Sequence, residues 1–286
     1  MPLVLSPTAA AHAPLSIDLD GIVPDRLNHL RTADIARLTV TADGRPTRVG
    51  ELFRIEGDAA DGVLEFHGDF SRIHRVGAAM RAGTIVVAGS VGRHAGEGLA
   101  GGSLSVHGDA GDWLAAGMTG GTVLVTGRAG DNAAAALPGD RLGMRGGVVV
   151  IRGDCGCLAG ARMRRGLLGI GGSCGEAAAF ELRAGTVVVV GAVGRGAGMG
   201  MCRGSLISVS SRPPIPATFA RGSAWSPAFV PLLAERLAQA GLPLATPGRL
   251  GGPWRQWHGD LLTGGRGEIL HPVGGEDSGG DDGRGD

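Results

Sequence analysis

Glycine recurs along this chain at a fixed interval, and this interval limits the possible folds more than any other feature of the sequence. Eight copies of a repeat each begin at a glycine, and most successive copies are 19 residues apart. The first glycines are Gly62, Gly83, Gly102, Gly121, Gly147, Gly166, Gly185 and Gly204. The step from Gly121 to Gly147 is 26 residues, which indicates a seven-residue insertion near Ala133 to Gly139. Self-similarity at such a period is typical of repeat architectures.

Apolar residues follow the same interval. The second and fourth residues after each first glycine are apolar, as at Ile85 and Val87, which predicts a strand with one buried face. Another apolar column, rich in methionine, precedes the next copy by three residues, as at Met118, and fits core packing. Nineteen residues are too few for a helical repeat unit, and the Asn or Cys ladder of leucine-rich repeats is missing. We expect an all-β fold, a right-handed parallel β-helix of about eight 19-residue coils with short flanking α-helical or irregular segments.

Two more glycine columns lie six and nine residues after the first glycine, and we expect them to form turns. A turn requires glycine where φ is positive or where one stretch of backbone closely approaches another. The predicted structural turn glycines are Gly89, Gly92, Gly108, Gly111, Gly127, Gly130, Gly153, Gly156, Gly172, Gly175, Gly191 and Gly194.

The flanking segments differ in composition from the repeats. Residues 1–60 combine a strand-like stretch, 15–19, with a predicted short helix over 26–38, and lead into the glycine-rich β-helix at 61–210. Residues 211–273 are rich in proline and contain one predicted helix, 229–240, and we expect them to wrap the repeats. Residues 274–286 are rich in Gly and Asp, which predicts a disordered tail.

Composition excludes several functions. The 27 basic residues are all arginine, and they balance 27 acidic residues, so bulk charge favours neither nucleic acid nor membrane as a partner. Six Phe and four Trp are too few to form stacking platforms for single-stranded nucleic acid. The chain has no long apolar run and no clear signal peptide, and its four cysteines do not form a disulfide scaffold, so we expect a cytoplasmic protein.

No group of residues combines a nucleophile, a base and an orienting group, and no cysteine or histidine spacing suits a metal. We therefore expect no catalytic, cofactor-binding or metal-binding residues in this chain. Asp109 and Asp112 are interpreted as turn residues that cap their own backbone. A further hypothesis is docking through exposed arginines. The candidates are Arg93 and Arg195, which share one loop column, and Arg162, Arg164 and Arg165, which form a run.

The repeat pattern and both flanks resemble a known family. The segment from Met118 to Gly130 is similar to the C-terminal domain of the glutamate synthase large subunit, and still more similar to the C subunit of formylmethanofuran dehydrogenase. The segments 48–58 and 259–270 resemble the entry segment and the C-terminal signature of the latter protein.

This resemblance implies a non-catalytic docking subunit of the formyltransferase/hydrolase complex of methylotrophic bacteria. That complex moves formyl groups from tetrahydromethanopterin to a methanofuran analogue and hydrolyses them to formate during formaldehyde oxidation. The implied partners are an amidohydrolase-like subunit, a formyltransferase subunit and a third subunit. The implied complex uses the methanofuran analogue and tetrahydromethanopterin, whereas this chain itself is expected to hold no cofactor.

Three alternatives stay open. The chain also resembles the C subunit of a tungsten or molybdenum formylmethanofuran dehydrogenase. A glutamate-synthase-like domain that channels ammonia is a second alternative, although no glutaminase nucleophile stands at the N-terminus. A self-polymerising filament is the third, and the proline-rich segment over the end of the repeats argues against it.

Overall fold

Strands make up most of this chain in the computed structural model, which describes residues 1–12, 16–244 and 252–274. Within these residues, thirteen strands form one large sheet and four form a small second sheet. The predicted all-β class is therefore confirmed. Most of the predicted tail, 275–286, lies outside the described residues.

The strands and helices have the following bounds. The strands are β1 Leu3–Pro7, β2 Ile17–Asp18, β3 Thr39–Ala42, β4 Arg45–Arg48, β5 Phe53–Glu56, β6 Val63–His67, β7 Ile73–His74, β8 Thr84–Ala88, β9 Ser103–Val106, β10 Thr122–Val125, β11 Val148–Ile151, β12 Leu167–Ile170, β13 Thr186–Val189, β14 Gly204–Ser208, β15 Ala220–Trp225, β16 Trp254–Gly259 and β17 Gly267–Pro272. The helices are α1 Pro24–Leu27, α2 Thr32–Ile35, α3 Val49–Leu52 and α4 Phe229–Gln239, and short 3₁₀ turns span Ala9–His12 and Leu261–Thr263.

Each copy of the repeat contributes one strand, and successive copies pair in parallel through β6 and β8 to β14. Residues at the same repeat position face one another, so that Leu104 pairs with Ile85 on one side and Val123 on the other. All three side chains are fully buried. A second ladder of parallel bridges runs from Phe70 to Val193 through the first seven copies. These seven copies therefore pair with one another at two places, and the eighth pairs with the seventh through β14.

The large sheet is mixed, which differs from the purely parallel arrangement that the repeat predicted. At one end β1 is parallel to β6 but antiparallel to the edge strand β5. At the other end β17 is parallel to β14, and β16 and β15 follow as antiparallel strands. The flanking segments supply these strands because the outermost strand of a repeat exposes unpaired backbone groups that need a partner.

The insertion leaves the stacking of the copies unchanged. The Met144 N–H donates to the Ala134 carbonyl at 3.0 Å, as the Met118 N–H donates to the Ala115 carbonyl at 3.2 Å in the preceding copy. The extra residues therefore lie between Ala136 and Met144, slightly later than predicted. Val123 still pairs directly with Val149 across them.

The second half of the sheet has two buried faces, whereas the alternation predicted one. All four residues of β11 and all four of β12 are buried. Their outer face packs against α4 and the residues that follow it, chiefly Leu237 and Leu242, to form a second apolar cluster. Residues 229–244 therefore cover this face.

The N-terminal segment also departs from its prediction. Residues 26–38 do not form one helix but contain the end of the single turn α1 and the whole of the single turn α2. Their buried residues Leu27 and Ile35 pack into the main core. The stretch predicted as a strand over 15–19 contributes only β2, and Leu15 lies outside the described residues.

Candidate docking surface

The structure keeps two of the predicted docking arginines far apart. Arg93 and Arg195 are exposed and occupy the same repeat position, but five copies separate them, or about 24 Å at about 4.8 Å per copy. Between them this column carries Asp112, Asp131 and Glu176. The column therefore has mixed charge and is not a basic patch.

The other three predicted arginines lie close together, but with different environments. Arg162 is half-buried, and its Nε lies 2.9 Å from Glu181 Oε2 in the next copy. Arg164 and Arg165 are exposed. Arg164 lines two adjoining open depressions, together with Arg183. Arg165 lines neither.

We call the two depressions together the arginine groove. The first has a volume of about 580 Å³ and the second about 450 Å³. They are lined by Arg141, Leu142, Arg162, Arg164, Glu181, Arg183, Cys202, Arg203, Thr263 and Arg266. Six of these residues are arginine and one is acidic. The groove therefore concentrates positive charge in a chain with a formal net charge of zero.

Several elements bring these arginines together. Arg164 and Arg183 each stand two residues before the first glycine of a copy, and backbone bonds such as Arg183 N–H to the Met163 carbonyl at 2.9 Å stack these copies. Arg141 comes from the insertion, and Arg266 comes from the turn before β17. Sequence reasoning missed Arg141, Arg183, Arg203 and Arg266. The columns shared with Arg164 and with Arg165 could have indicated Arg183 and Arg203, respectively, but only the fold reveals Arg141 and Arg266.

The twelve predicted turn glycines are required by close approach and not by positive φ. None of them has a left-handed backbone. A Cβ on Gly130 would collide with the Asp112 carboxylate of the preceding copy and would lie 2.8 Å from the Asp112 nitrogen. Gly156 has the same relation to Asp131. The left-handed residues are instead the first glycines, such as Gly102, and several alanines of the turns.

Asp109 and Asp112 bond to the next copy and do not cap their own turns, which corrects the prediction. Asp109 Oδ1 accepts the Arg128 N–H at 2.8 Å, and Asp112 Oδ1 accepts the Asp131 N–H at 2.9 Å. Each acceptor and donor are 19 residues apart. A turn carboxylate pairs across copies because the stacked backbone places the equivalent N–H group directly beside it.

A second charged cluster, near the N-terminal segment, is internally neutralised. Arg75 contacts Asp18 at 3.3 Å and Glu97 at 3.4 Å, and His94 Nδ1 lies 2.7 Å from Glu97 Oε2. Burial, together with nearby Arg93, lowers the pKa of His74, whose Nδ1 accepts the Arg93 N–H. This cluster ties β2 to the repeats and leaves little charge free for an anion.

Cys155 and Cys174 are buried on adjacent copies and carry free thiols. A hydrogen bond with Cys174, together with burial, raises the pKa of the Cys155 thiol well above its ordinary value, so it stays protonated. No group of three or more potential metal ligands occurs in the part of the chain that the structure describes. None of the helices in that part combines the length and apolar character needed to cross a bilayer.

Asp260 fixes the turn at one end of the arginine groove. Its carboxylate is buried and accepts the N–H groups of Leu262 and Gly200, both at 3.0 Å. Burial alone would raise the pKa of this carboxyl group, but these hydrogen bonds outweigh it and lower the pKa. The turn Leu261–Thr263 is therefore held rigidly against the last copy.

Comparison with known proteins identifies curated relatives that match part of the chain and a solved structure that matches nearly all of it. No protein-family model matches. The chain is 40% identical over 80 residues to the Fhc C subunit of the formyltransferase/hydrolase complex of Methylorubrum extorquens, covering 28% of this chain and 30% of the relative. It is 33% identical over 84 residues to the C subunit of the molybdenum-containing formylmethanofuran dehydrogenase 1 of Methanosarcina barkeri, covering 28% of each chain. The aligned segments thus span less than a third of these curated relatives.

A solved structure extends the similarity to almost the whole chain. It is the crystal structure of the formyltransferase/hydrolase complex (FhcABCD) from Methylorubrum extorquens in complex with methylofuran. One of its chains is 38% identical to this one with a TM-score of 0.85, and the match covers 95% of this chain and 100% of the solved chain. The resemblance inferred from the repeats and flanks is confirmed. This chain belongs to the C-subunit family that the bacterial formyltransferase/hydrolase complex shares with formylmethanofuran dehydrogenase.

Proposed function

We propose that this chain is the structural, docking subunit of a formyltransferase/hydrolase complex in methylotrophic one-carbon metabolism. The observation that carries the proposal is the match at 38% identity over 95% of the chain to a chain of that complex. The curated bacterial relative is the C subunit of the same complex. The family assignment favours this role over a glutamate-synthase-like domain that channels ammonia.

The reaction of the complex proceeds in two steps on subunits other than this one. A formyltransferase subunit transfers the formyl group from tetrahydromethanopterin to a methanofuran analogue, and an amidohydrolase-like subunit releases formate. The crystal structure of the related complex contains methylofuran, which supports a methanofuran analogue as the carrier. This chain contributes surfaces that hold these subunits and a third subunit together.

The repeat region is suited to such a role because its copies are tightly coupled. The proposed architecture is a right-handed parallel β-helix over 61–210, closed by the segments 1–60 and 211–273. The strand pairing of β6 and β8 to β14 and the second ladder from Phe70 to Val193 support it. Two ladders per copy restrict bending, so docking sites on different copies keep their spacing. The four free thiols fit a reducing compartment and support a cytoplasmic location.

The second candidate is the C subunit of a tungsten or molybdenum formylmethanofuran dehydrogenase. Its support is the similarity to archaeal relatives, which reaches 34% identity over 97 residues. The two candidates differ in the chemistry of their partners. A dehydrogenase complex contains tungsten or molybdenum, whereas the transferase/hydrolase complex needs neither for formyl transfer.

Purification of the tagged chain from its host tests the proposal. We expect an amidohydrolase-like subunit and a formyltransferase subunit to copurify in fixed ratio, and the complex to convert formyl-tetrahydromethanopterin to formate. Mass spectrometry identifies the subunits, and elemental analysis detects tungsten or molybdenum. Recovery of the chain alone, or formate production by the chain alone, would contradict the proposal. A stoichiometric molybdenum or tungsten content would favour the dehydrogenase.

A further inference from the structure

We propose that the arginine groove is the docking site for an acidic segment of a partner subunit. The inference rests on the proposed function, since it assumes that the chain assembles with other subunits. It adds the place of contact on this chain and the chemistry of what binds there.

The positive charge of the groove is not balanced by acidic groups of this chain. Within the described parts of the chain, Glu181 is the one acidic residue that lines the groove, and it already pairs with Arg162 at 2.9 Å and Arg183 at 3.7 Å. Among the described residues, no acidic group lies within ion-pair distance of Arg164 or Arg203, and both are exposed. Guanidinium groups that line the same depression repel one another, and carboxylates placed between them remove that repulsion through charge-assisted hydrogen bonds.

The shape of the groove also fits an extended partner segment. The arginines come from successive copies, which rise by about 4.8 Å each, so Arg164, Arg183 and Arg203 extend over about 10 Å of the sheet. The insertion with Arg141 and the turn with Arg266 lengthen this line of charge at its two ends. Small ligands are normally enclosed over most of their surface, whereas this trough is open. An open line of arginines suits a peptide segment with several carboxylates.

A rigid turn with exposed apolar side chains borders the groove. Leu261 and Leu262 are 56% and 82% exposed, and they belong to the same turn as Thr263, which lines the groove. Asp260 holds that turn through its two backbone hydrogen bonds. Apolar anchors beside arginine are typical of protein interfaces. None of the described residues that line the groove is an aromatic residue on which nucleic acid bases could stack.

A charge-reversal experiment in the whole complex tests this site. The double variant Arg164→Glu/Arg203→Glu changes two exposed side chains without removing an ion pair. Arg45→Glu/Arg72→Glu, at exposed positions in β4 and in an early copy, is the control, because it changes the net charge by the same amount. We expect the double variant to retain its partner about tenfold less well in copurification at moderate salt, and the control to match the wild type. Circular dichroism and the unfolding temperature establish that both variants fold.

A photoreactive amino acid at Leu262 identifies the partner segment. After irradiation of the complex, we expect cross-links to a peptide of another subunit that is rich in Asp and Glu. Cross-links only to peptides without an excess of acid would overturn the proposal, as would equal partner retention by the double variant and the control. Native mass spectrometry that shows loss of a low-mass polyanion from the double variant, with all subunits retained, would also overturn it. If the wild-type chain brings down no subunit, the proposed function fails instead.

Discussion

Glycine meets two different physical requirements in each copy, a left-handed backbone at some positions and close approach of the backbone at others. Gly117 has φ +64° and open space around its α-carbon, whereas Gly130 has ordinary backbone angles and no room for a Cβ. Ala115, two residues from Gly117, has φ +52°. The fold therefore accepts alanine in left-handed turns, while close approach of the copies strictly requires glycine.

Alanine substitutions at the two positions test this distinction. Gly117→Ala should lower the free energy of unfolding by about 1 kcal/mol, the cost of a left-handed alanine. Gly130→Ala should lower it by about 3 kcal/mol, because the new methyl group displaces Asp112 and presses on its backbone. Urea unfolding followed by tryptophan fluorescence measures both. Equal losses of unfolding free energy in the two variants would contradict a different requirement for glycine at the two positions.

The Asp260 carboxylate makes the stability of the folded protein depend on pH in the acidic range. Its pKa is lower in the folded chain than in the unfolded chain, so the unfolded state binds the proton more readily. The stabilisation is therefore present above about pH 4 and is lost as the pH falls through the lowered pKa. Asp260→Asn should lower the unfolding temperature by about 3 °C at pH 7.

The difference between wild type and Asp260→Asn should shrink below about pH 4, because a protonated aspartate resembles asparagine. Thermal unfolding between pH 3 and pH 7 measures this difference. Asp58→Asn is a matched control, since Asp58 is exposed and accepts only the N–H of Ala60 at 3.0 Å. A constant difference at all pH values would contradict the assigned role of the Asp260 carboxylate.

At the scale of elements, helix α4 forms the outer layer over β11 to β14. Leu237 is fully buried, and Gly169 of β12 provides the space for it, since a Cβ there would lie 2.5 Å from Leu237 Cδ2. Arg152 Nε donates to the Gly241 carbonyl at 2.7 Å and so attaches the end of the helix to β11. The helix therefore packs closely on the sheet because the large Leu237 of α4 lies against Gly169 of β12.

Truncation of the helix side chains measures this packing. Leu237→Ala should cost about 3 kcal/mol in the free energy of unfolding, because it leaves a cavity against Gly169. Leu232→Ala, on the same helix but 67% exposed, should change it by about 0.5 kcal/mol or less. Chemical denaturation gives both values, and limited proteolysis shows whether the helix detaches. Similar losses in the two variants would mean that α4 is not anchored through Leu237.

At the scale of the whole molecule, the flanking segments close both ends of the sheet. The N-terminal segment adds β1 and β5 beside the first copy, and the C-terminal segment adds β17, β16 and β15 beside the last. Trp254 of β16 is fully buried, and Leu270 of β17 joins the outer apolar cluster. The chain thus covers the ends that stacked parallel strands leave open.

Removal of the C-terminal segment that covers β14 should make the protein associate with itself. A chain that ends at Val209 exposes the edge of β14 and the apolar face of β11 to β13. We expect it to form oligomers or insoluble aggregates, because an uncovered strand edge pairs with other chains. Light scattering after size-exclusion chromatography, with the full-length chain at the same concentration as reference, measures the effect. A monodisperse truncated monomer would show that the closure is dispensable.

Sequence and tertiary structure determined different parts of this protein. The interval between first glycines and the alternation at positions such as Ile85 and Val87 suffice to predict eight paired strands, because each copy repeats one local pattern. The same interval places Arg164 and Arg183 in one column. Local pattern also predicts the start of α4 at Phe229.

Tertiary structure alone decided the features that join distant segments. The antiparallel strands at the sheet ends and the second buried face of β12 both depend on which segments meet in space. Arg141 and Arg266 reach the groove from an insertion and from a turn outside the repeats, so no repeat position marks them. A periodic sequence specifies how neighbouring copies stack, because the same contact recurs from copy to copy. A contact that occurs once in the fold has no repeated sequence pattern from which it could be predicted.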